Sequence, residues 1–380
     1  MILLSHPLAN DTVRHVALAL ERAGMLGEFW TCSTGRTAPQ SLAPAALPER
    51  VAPPRRSRSF NAACRTLDRT VSTRLAGRRF TGVYAYEYGA EETFRAAGSR
   101  GLLRIYGVST GHWRAERAIC AEEADLEPEW AATLDHAPRA WRAFARRDAE
   151  LQQADLVVAS SSFLLSTLDR VSPLPAAVAV IPPGTPIVPA NSYPAPAPPT
   201  RSGRLRVLYA GNLGQRHGLS YLFRACSELH RIVELTVIGP PPRHSCPALA
   251  RELACIRWLD TCAPSVLHAE MAAHDVLLAP AIFSGFDPVL LDALAHGLPV
   301  IATPHTAAPD FIDDGVEGFI VPIRSTGAIV AQLEVLQREP DRRLAMSAAA
   351  RERARQHSWE TYERALAASV ATALARYEGA

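Results

Sequence analysis

The sequence predicts an α/β protein made of two Rossmann-like domains, each built on a parallel sheet. Three observations carry that prediction. Strand-length apolar runs such as Leu205–Ala210 and Val276–Ala279 are each followed by a glycine-bearing turn and then a helix-periodic stretch, the order expected of a parallel sheet. Residues 186–203 are dense in Pro, Ala and Ser with no period, and read as a semi-extended linker between a first domain (1–185) and a second (204–358). The 380 residues, 48% of them hydrophobic, suffice for about two cores.

Composition removes several function classes. The formal charge of +2 gives no reason to expect nucleic acid as a partner. All forty basic residues are arginine, so a Walker-type phosphate loop, a pyridoxal-phosphate Schiff base and a catalytic lysine are excluded. The seven cysteines are scattered without C-x-x-C spacing, which argues for a reducing compartment and against zinc. The chain opens directly on a strand, so no signal peptide is expected, and no apolar run approaches the ~18 residues of a membrane span. A cytoplasmic protein is expected, with any membrane contact peripheral.

In the first domain, residues 1–5 read as a strand, 6–10 as a loop, and a helix runs from Asp11 or Thr12 to about Ala23, which Asn10 or Asp11 can cap and Gly24 can end. The loop lacks G-x-G-x-x-G, so a dinucleotide-dependent oxidoreductase is not expected. Residues 28–32 read as the second strand and 39–54 as a loop. Between Arg50 and Arg79, nine arginines face one acid, Asp68; this is either a solvated helix face or a surface for anionic lipid headgroups, each nearby Arg contributing ~1 kcal/mol. A strand over 82–87 delivers Glu87 to the carboxyl edge of the sheet, where open α/β sheets place ligands. Glu87 is therefore a site candidate, and equally a cap for a helix over 88–97. The next strand, 102–108, brings the loop holding His112 to the same edge. His6 is a weaker candidate in the first loop. Residues 116–153 read as helices rich in both charges, with no chemistry assigned to them.

The second domain opens with a strand, then Gly211-Asn212-Leu213-Gly214-Gln215-Arg216-His217-Gly218, then a helix to about residue 231. A glycine-rich loop entering a helix aims backbone N–H groups and the positive end of a dipole at an anion. Strands over 233–239 and 256–259 follow, the latter carrying Trp258 and Leu259. After Val276–Ala279 come the turn Ser284-Gly285-Phe286-Asp287, Pro288 at a first helical position, and a helix bearing Asp292 that Gly297 closes. A strand over 299–303, a helix ending near Asp314-Gly315 and a strand over 318–321 complete the unit. Residues 340–356 are a charged helix, and Trp359 and Tyr362 are packing anchors on the last one.

The run Gly285-Phe286, then Ala293-Leu294-Ala295-His296-Gly297-Leu298-Pro299-Val300-Ile301-Ala302, then Asp314-Gly315 and Gly318-Phe319, resembles the donor-binding half of GT-B glycosyltransferases, in particular the retaining family 4. Ile181-Pro182-Pro183-Gly184 is similar to the way that family closes its first domain. The sequence departs from the family at Ser284 and Asp292, where two glutamates are usual, and at Asn212 and His217, where an arginine and a lysine hold the donor diphosphate. The resemblance implies transfer of a sugar from a nucleotide-diphosphate sugar to a hydroxyl acceptor, lipid-linked in many members, with retained configuration. It implies that the two parallel sheets face a central cleft and that a final helix (359–380) packs back on the first domain. Gly211, Asn212, Arg216, His217 and the Ser284–Pro288 turn would then face the diphosphate and sugar. Trp258 and Leu259 would enclose the nucleobase and Asp292 would hold the ribose. His112 and Glu87 would act at the donor sugar or acceptor, with His6 and Asn10 on the acceptor side. No D-x-D pair occurs, so no metal or other cofactor is expected. The alternatives are a non-catalytic nucleotide-sugar-binding subunit of the same fold, and a sugar-nucleotide epimerase, which Ser284 in place of an acid disfavours.

Overall fold

A strand covered by helices on both faces needs apolar side chains on both, and that is what the strands of this chain carry: Ile2–Ser5, Leu156–Ala159 and Val276–Ala279 are buried at every position. The structure, a computed structural model, describes residues 1–32, 49–51, 60–77, 80–134, 141–169, 174, 177–185 and 203–379. The first sheet contains β1 (Ile2–Ser5), β2 (Leu26–Thr31), β3 (Glu49–Val51), β4 (Gly82–Tyr86), β5 (Leu103–Val108), β6 (Leu156–Ala159) and β7 (Ala177–Val180), in the order β3-β2-β1-β4-β5-β6-β7. The second contains β8 (Leu205–Ala210), β9 (Val233–Ile238), β10 (Arg257–Leu259), β11 (Val276–Ala279), β12 (Val300–Ala302) and β13 (Gly318–Ile320), in the order β10-β9-β8-β11-β12-β13. All pairings are parallel, with Leu4 opposite Tyr84 and Val207 opposite Val276 where each order reverses. At such reversals in open α/β sheets the loops leave in opposite directions and open a crevice where ligands are commonly placed, here beside β1/β4 and β8/β11.

The helices are α1 (Asp11–Arg22), α2 (Phe60–Arg74), α3 (Glu91–Gly98), α4 (Trp113–Leu126), α5 (Trp141–Gln153), α6 (Ser162–Asp169), α7 (Leu219–Glu228), α8 (Pro247–Leu253), α9 (Pro264–Ala273), α10 (Pro288–Ala295), α11 (Thr326–Arg338), α12 (Pro340–Gln356) and α13 (Trp359–Glu378). Asn10 caps α1 by accepting from the Val13 N–H at 3.0 Å. The last helix returns to the first domain, where Tyr362, Leu366 and Val370 join Ile2, Leu4, Val16 and Leu20 in one core. Trp359 stacks on His15 at 3.9 Å, and the buried Glu363 pairs with His15 and Arg22. Where the chain crosses between domains, the Thr185 N–H donates to the His357 carbonyl at 2.8 Å, and Thr185 forms a parallel bridge with Ser358.

Three local readings are corrected. β3 lies where residues 39–54 read as loop; three residues paired to the edge of β2 are too short to leave a pattern. The helix read over 88–97 begins at Glu91, because Tyr88 sits in the left-handed region at φ 68° and carboxylates from other helices take the amides of the first turn. Glu150 accepts from Tyr88 and Ala90 at 2.8 and 3.0 Å, and Asp68 from Glu92 and Thr93 at 2.9 and 2.8 Å. Before Asp314 there is one 3₁₀ turn, Ala308–Asp310, in place of a helix. The 186–202 linker and Arg55, Arg56, Arg58, Arg78 and Arg79 of the basic stretch lie outside the described residues.

The charged stretch 116–153 proves to hold the domains together. Trp130 is buried in the second domain's core and stacks on Phe223 at 5.8 Å. Around it, arginines of the second domain meet acids of the first: Arg324 pairs with Glu122 (2.8 Å) and Glu123 (2.7 Å), Arg224 with Glu127, and Arg251 with Glu129 (3.0 Å). Glu123 is fully buried and also accepts from Gln215 Nε2 at 2.8 Å. Burying that carboxylate is tolerable because two donors from the opposite domain satisfy it.

Candidate functional site

The loop after β8 is shaped by its close approach to the neighbouring β11 loop. Gly218 has φ 73°, and a Cβ there would lie 1.9 Å from the Pro280 carbonyl oxygen, so only glycine fits before α7. The loop is also held from the first domain: the Gln215 N–H donates to Thr133 Oγ1 at 2.8 Å. On its open side it borders a cavity of about 950 Å³ between the domains. One wall is α4 and its surroundings, with Trp113, Glu116, Arg117, Cys120 and Phe144. The other is Asn212, Leu213, Gly214, Arg216 and His217, with Pro240, Pro241, Pro242 and Arg243 after β9. The volume suits a small-molecule ligand. Trp113 stacks on Phe144 at 4.8 Å, giving that wall a flat aromatic surface.

Of the expected donor residues, the cavity brings together Asn212, Arg216 and His217. Their electrostatics differ from the expectation. His217 is buried, and desolvation holds its pKa below the ordinary histidine value against the opposing pull of Asp287, so it is neutral near pH 7 and supplies no cation. Arg216 Nη1 is 2.7 Å from Glu116 Oε1 on α4, so its charge is already met across the domain boundary. Gly211 is the strand-to-loop junction beneath, its N–H donating to the Ile238 carbonyl at 2.9 Å.

The turn after β11 is packed against the first domain. Ser284 is buried and its hydroxyl donates to Asp287, the residue preceding α10. The Gly285 carbonyl accepts from Ser161 Oγ at 2.9 Å, and Phe283 stands edge-on to Phe163 at 5.2 Å. Phe283 also fills the space beside Gly111, where a Cβ would meet its ring at 2.3 Å. Phe286 packs partly buried on the second core, and Pro288 opens α10 at its first turn. Asp292 lies further along α10, its carboxyl pushed up to about 6 by burial despite the neighbouring His268. Trp258 donates through Nε1 to the Gly239 carbonyl at 3.0 Å with much of its ring exposed, and Leu259 accepts from the Gly239 N–H at 2.9 Å. These residues line the edge of the second sheet and not the cavity.

The first domain's candidates are engaged by their own domain. Glu87 is buried; it accepts from the Ser109 and Thr110 N–H groups at 3.0 and 3.1 Å, from both hydroxyls, and pairs with Arg147. It shapes the 109–111 loop and caps no helix. His112 caps α4: its Nδ1 accepts from the Arg114 N–H at 3.2 Å, which leaves Nε2–H to donate to Asp148 at 3.0 Å. Burial keeps this ring below the usual histidine pKa. His6 is desolvated to a pKa of about 4, lies edge-on to Tyr86 at 4.7 Å and is held by the Leu8 backbone. Asn10 is taken up by its cap. The sequence shows α4 as a helix but hides its role: its acids match arginines a hundred or more positions away, and no local pattern announces such a pairing.

This is the architecture of GT-B glycosyltransferases: two parallel, helix-flanked sheets with their carboxyl edges turned to a shared cleft. Solved structures of that class superpose on the whole chain. Sucrose-phosphate synthase from Thermosynechococcus elongatus does so with a TM-score of 0.71 and 18% identity, over 98% of this chain and 97% of its own. Anabaena HepE in complex with UDP-glucose does so with a TM-score of 0.65 and 15% identity, over 98% and 99%. More particularly, residues 204–339 match the family model described as Glycosyl transferases group 1, and the second domain is a group 1 glycosyltransferase domain. A D-inositol 3-phosphate glycosyltransferase of Corynebacterium aurimucosum is 31% identical over 169 residues, 40% of this chain and 39% of the relative, so the matched stretch spans less than half of either protein.

Proposed function

We propose that this chain transfers a sugar, of hexose type, from a nucleotide-diphosphate sugar to a hydroxyl acceptor with retention of anomeric configuration and without a divalent metal. The observation that carries this reading is the inter-domain cavity at the mouth of the Gly211–Gly218 loop, arginine-lined and enclosed by a group 1 glycosyltransferase domain on one side. As the bond from the anomeric carbon to the β-phosphate oxygen breaks, negative charge grows on the departing diphosphate; fixed cations and backbone N–H groups lower that barrier. The acceptor oxygen bonds to the anomeric carbon and gives up its proton. Domain contact excludes water and limits loss of the donor to hydrolysis.

The similarity to HepE, whose structure was solved with UDP-glucose, supports a nucleotide-sugar donor. A lipid-linked saccharide as acceptor, in bacterial polysaccharide or glycoconjugate synthesis at the inner face of the cytoplasmic membrane, remains part of the proposal. No described helix is long and apolar enough to cross a membrane. Within the basic stretch, Arg69 pairs with Glu92 and Arg74 with Glu28, so headgroup contact rests on its other arginines.

The test is thermal unfolding against UDP-, GDP-, dTDP- and ADP-sugars, where ligand at ~100 times its dissociation constant adds about 2.7 kcal/mol of stability. A rise with one nucleotide is expected; no rise with any of them removes the reading. The second reading, a non-catalytic binding subunit, is favoured by one observation: Glu87 and both ring nitrogens of His112 are occupied within the first domain. It predicts a thermal shift without any transfer or release of the sugar.

A further inference from the structure

A diphosphate joined to a nucleoside and a sugar carries one negative charge on each phosphate, and the residues expected to meet them do not supply the balance. Asn212 is uncharged, His217 is kept neutral by burial, and Arg216 is paired with Glu116. At the start of α10 stands Asp287, whose carboxylate opposes an anion at that helix end. The cavity nevertheless holds two more guanidinium groups. Arg117 reaches it from α4 in the first domain, and Arg243 from the proline-rich loop after β9 in the second. Both are exposed, and among the described residues neither has a hydrogen-bond or ion-pair partner. Elsewhere in the inter-domain region arginines are matched to acids, as Arg216, Arg224, Arg251 and Arg324 are. Two unmatched cations turned into one cavity give it a positive potential that an anionic ligand relieves.

We infer that Arg117 and Arg243 hold the phosphoryl groups of the donor diphosphate from opposite walls of the cavity, in place of the arginine and lysine that positions 212 and 217 lack. The inference rests on the donor-site reading above. Each guanidinium offers a planar fork that fits a phosphate bidentately, which an ammonium in the same place does not. The assignment gives the first domain a direct share in donor binding: a ligand held by α4 and by the β9 loop together also draws the two domains onto each other. The diphosphate is then recognised by both domains.

The test is titration calorimetry of the intact chain, Arg117→Ala, Arg243→Ala and the double variant with UDP, GDP, dTDP and ADP, the matching nucleosides, and glucose 6-phosphate. Each single substitution is expected to weaken the preferred nucleoside diphosphate about tenfold or more while leaving the nucleoside unchanged. Melting temperatures should stay at the wild-type value, since neither side chain has a partner to lose. Arg117→Lys, which keeps the charge and loses the fork, should recover part of the affinity. Wild-type diphosphate affinity in both alanine variants overturns the inference while leaving the donor site standing. Loss of glucose 6-phosphate binding with unchanged diphosphate binding also overturns it, and assigns the two arginines to a phosphorylated acceptor. If the wild-type chain binds none of the nucleotides, the donor-site reading falls and the inference with it.

Discussion

At the carboxyl edge of the first sheet the candidates Glu87 and His112 are bound within their own domain, Glu87 to Arg147 and the 109–110 amides, His112 to Asp148 and Arg114, and the buried Glu150 holds amides before α3. At the matching edge of the second sheet the Gly211–Gly218 loop is fastened from the other domain, by Thr133 and Glu123, and its outer face borders open volume. The two edges descend from the same strand order, so the difference lies in their loops. A loop held by buried carboxylates is rigid and closed; a loop held through Gln215 and Arg216 by its partner domain leaves room for a ligand beside it. The first edge is thus a fixed wall, and the second edge owes its shape to domain contact.

The largest effect expected is from Arg147→Ala, which strips the buried Glu87 of its cation. Leaving that charge uncompensated should cost about 3 to 5 kcal/mol in urea unfolding; a loss below about 1 kcal/mol would show that the wall does not depend on this pair. An intermediate effect concerns pH. Burial pushes the Glu150 carboxyl up to about 7 in spite of Arg146 and the hydrogen bonds from Tyr88, Ala90 and Tyr106. The folded state therefore holds a proton that the unfolded chain releases at an ordinary glutamate pKa. This contribution is fully present below that value and is lost as pH rises through about 7. Stability should fall by at most about 1.4 kcal/mol per pH unit across that window, and Glu150→Gln should flatten the slope. An unchanged slope in the variant would place the titration elsewhere. The smallest effect on stability belongs to the second edge. Arg216 and Glu116 are each more than a third exposed or close to it, so Arg216→Ala should change unfolding by no more than about 1 kcal/mol. Affinity for a nucleoside diphosphate should nonetheless fall; equal affinity would remove Arg216 from the site.

What the sequence displayed and what it hid follow the same division. The strands of the second domain and the glycine turns after β8 and β11 were legible because each is a local pattern: an apolar run, a glycine where φ is positive, a proline at a helix start. The helix start at Glu91 was misread because the acids that cap it, Asp68 and Glu150, come from helices packed alongside. Glu87 was rightly placed at an edge, yet its neighbourhood could not be read, since Arg147 lies 60 residues away. The helix α4 carries both signs of charge and looks like a solvated face. Its Glu123 is wholly buried, and its partners Gln215 and Arg324 belong to the other domain. Electrostatic matching between distant segments is a property of the assembled chain, and periodicity cannot foretell it.

The backbone bridge between Thr185 and Ser358 ties the outgoing and returning passages of the chain to one another at the domain boundary. It is one backbone tie among several side-chain contacts between the domains, Trp130 in the second core and Gln215 on Thr133 among them. An opening that admits a substrate by a swing about that tie must also release Trp130 and the row of arginine–glutamate pairs on and just after α4. Because exposed members of that row are screened by added salt, ionic strength becomes a handle on how readily the molecule swings.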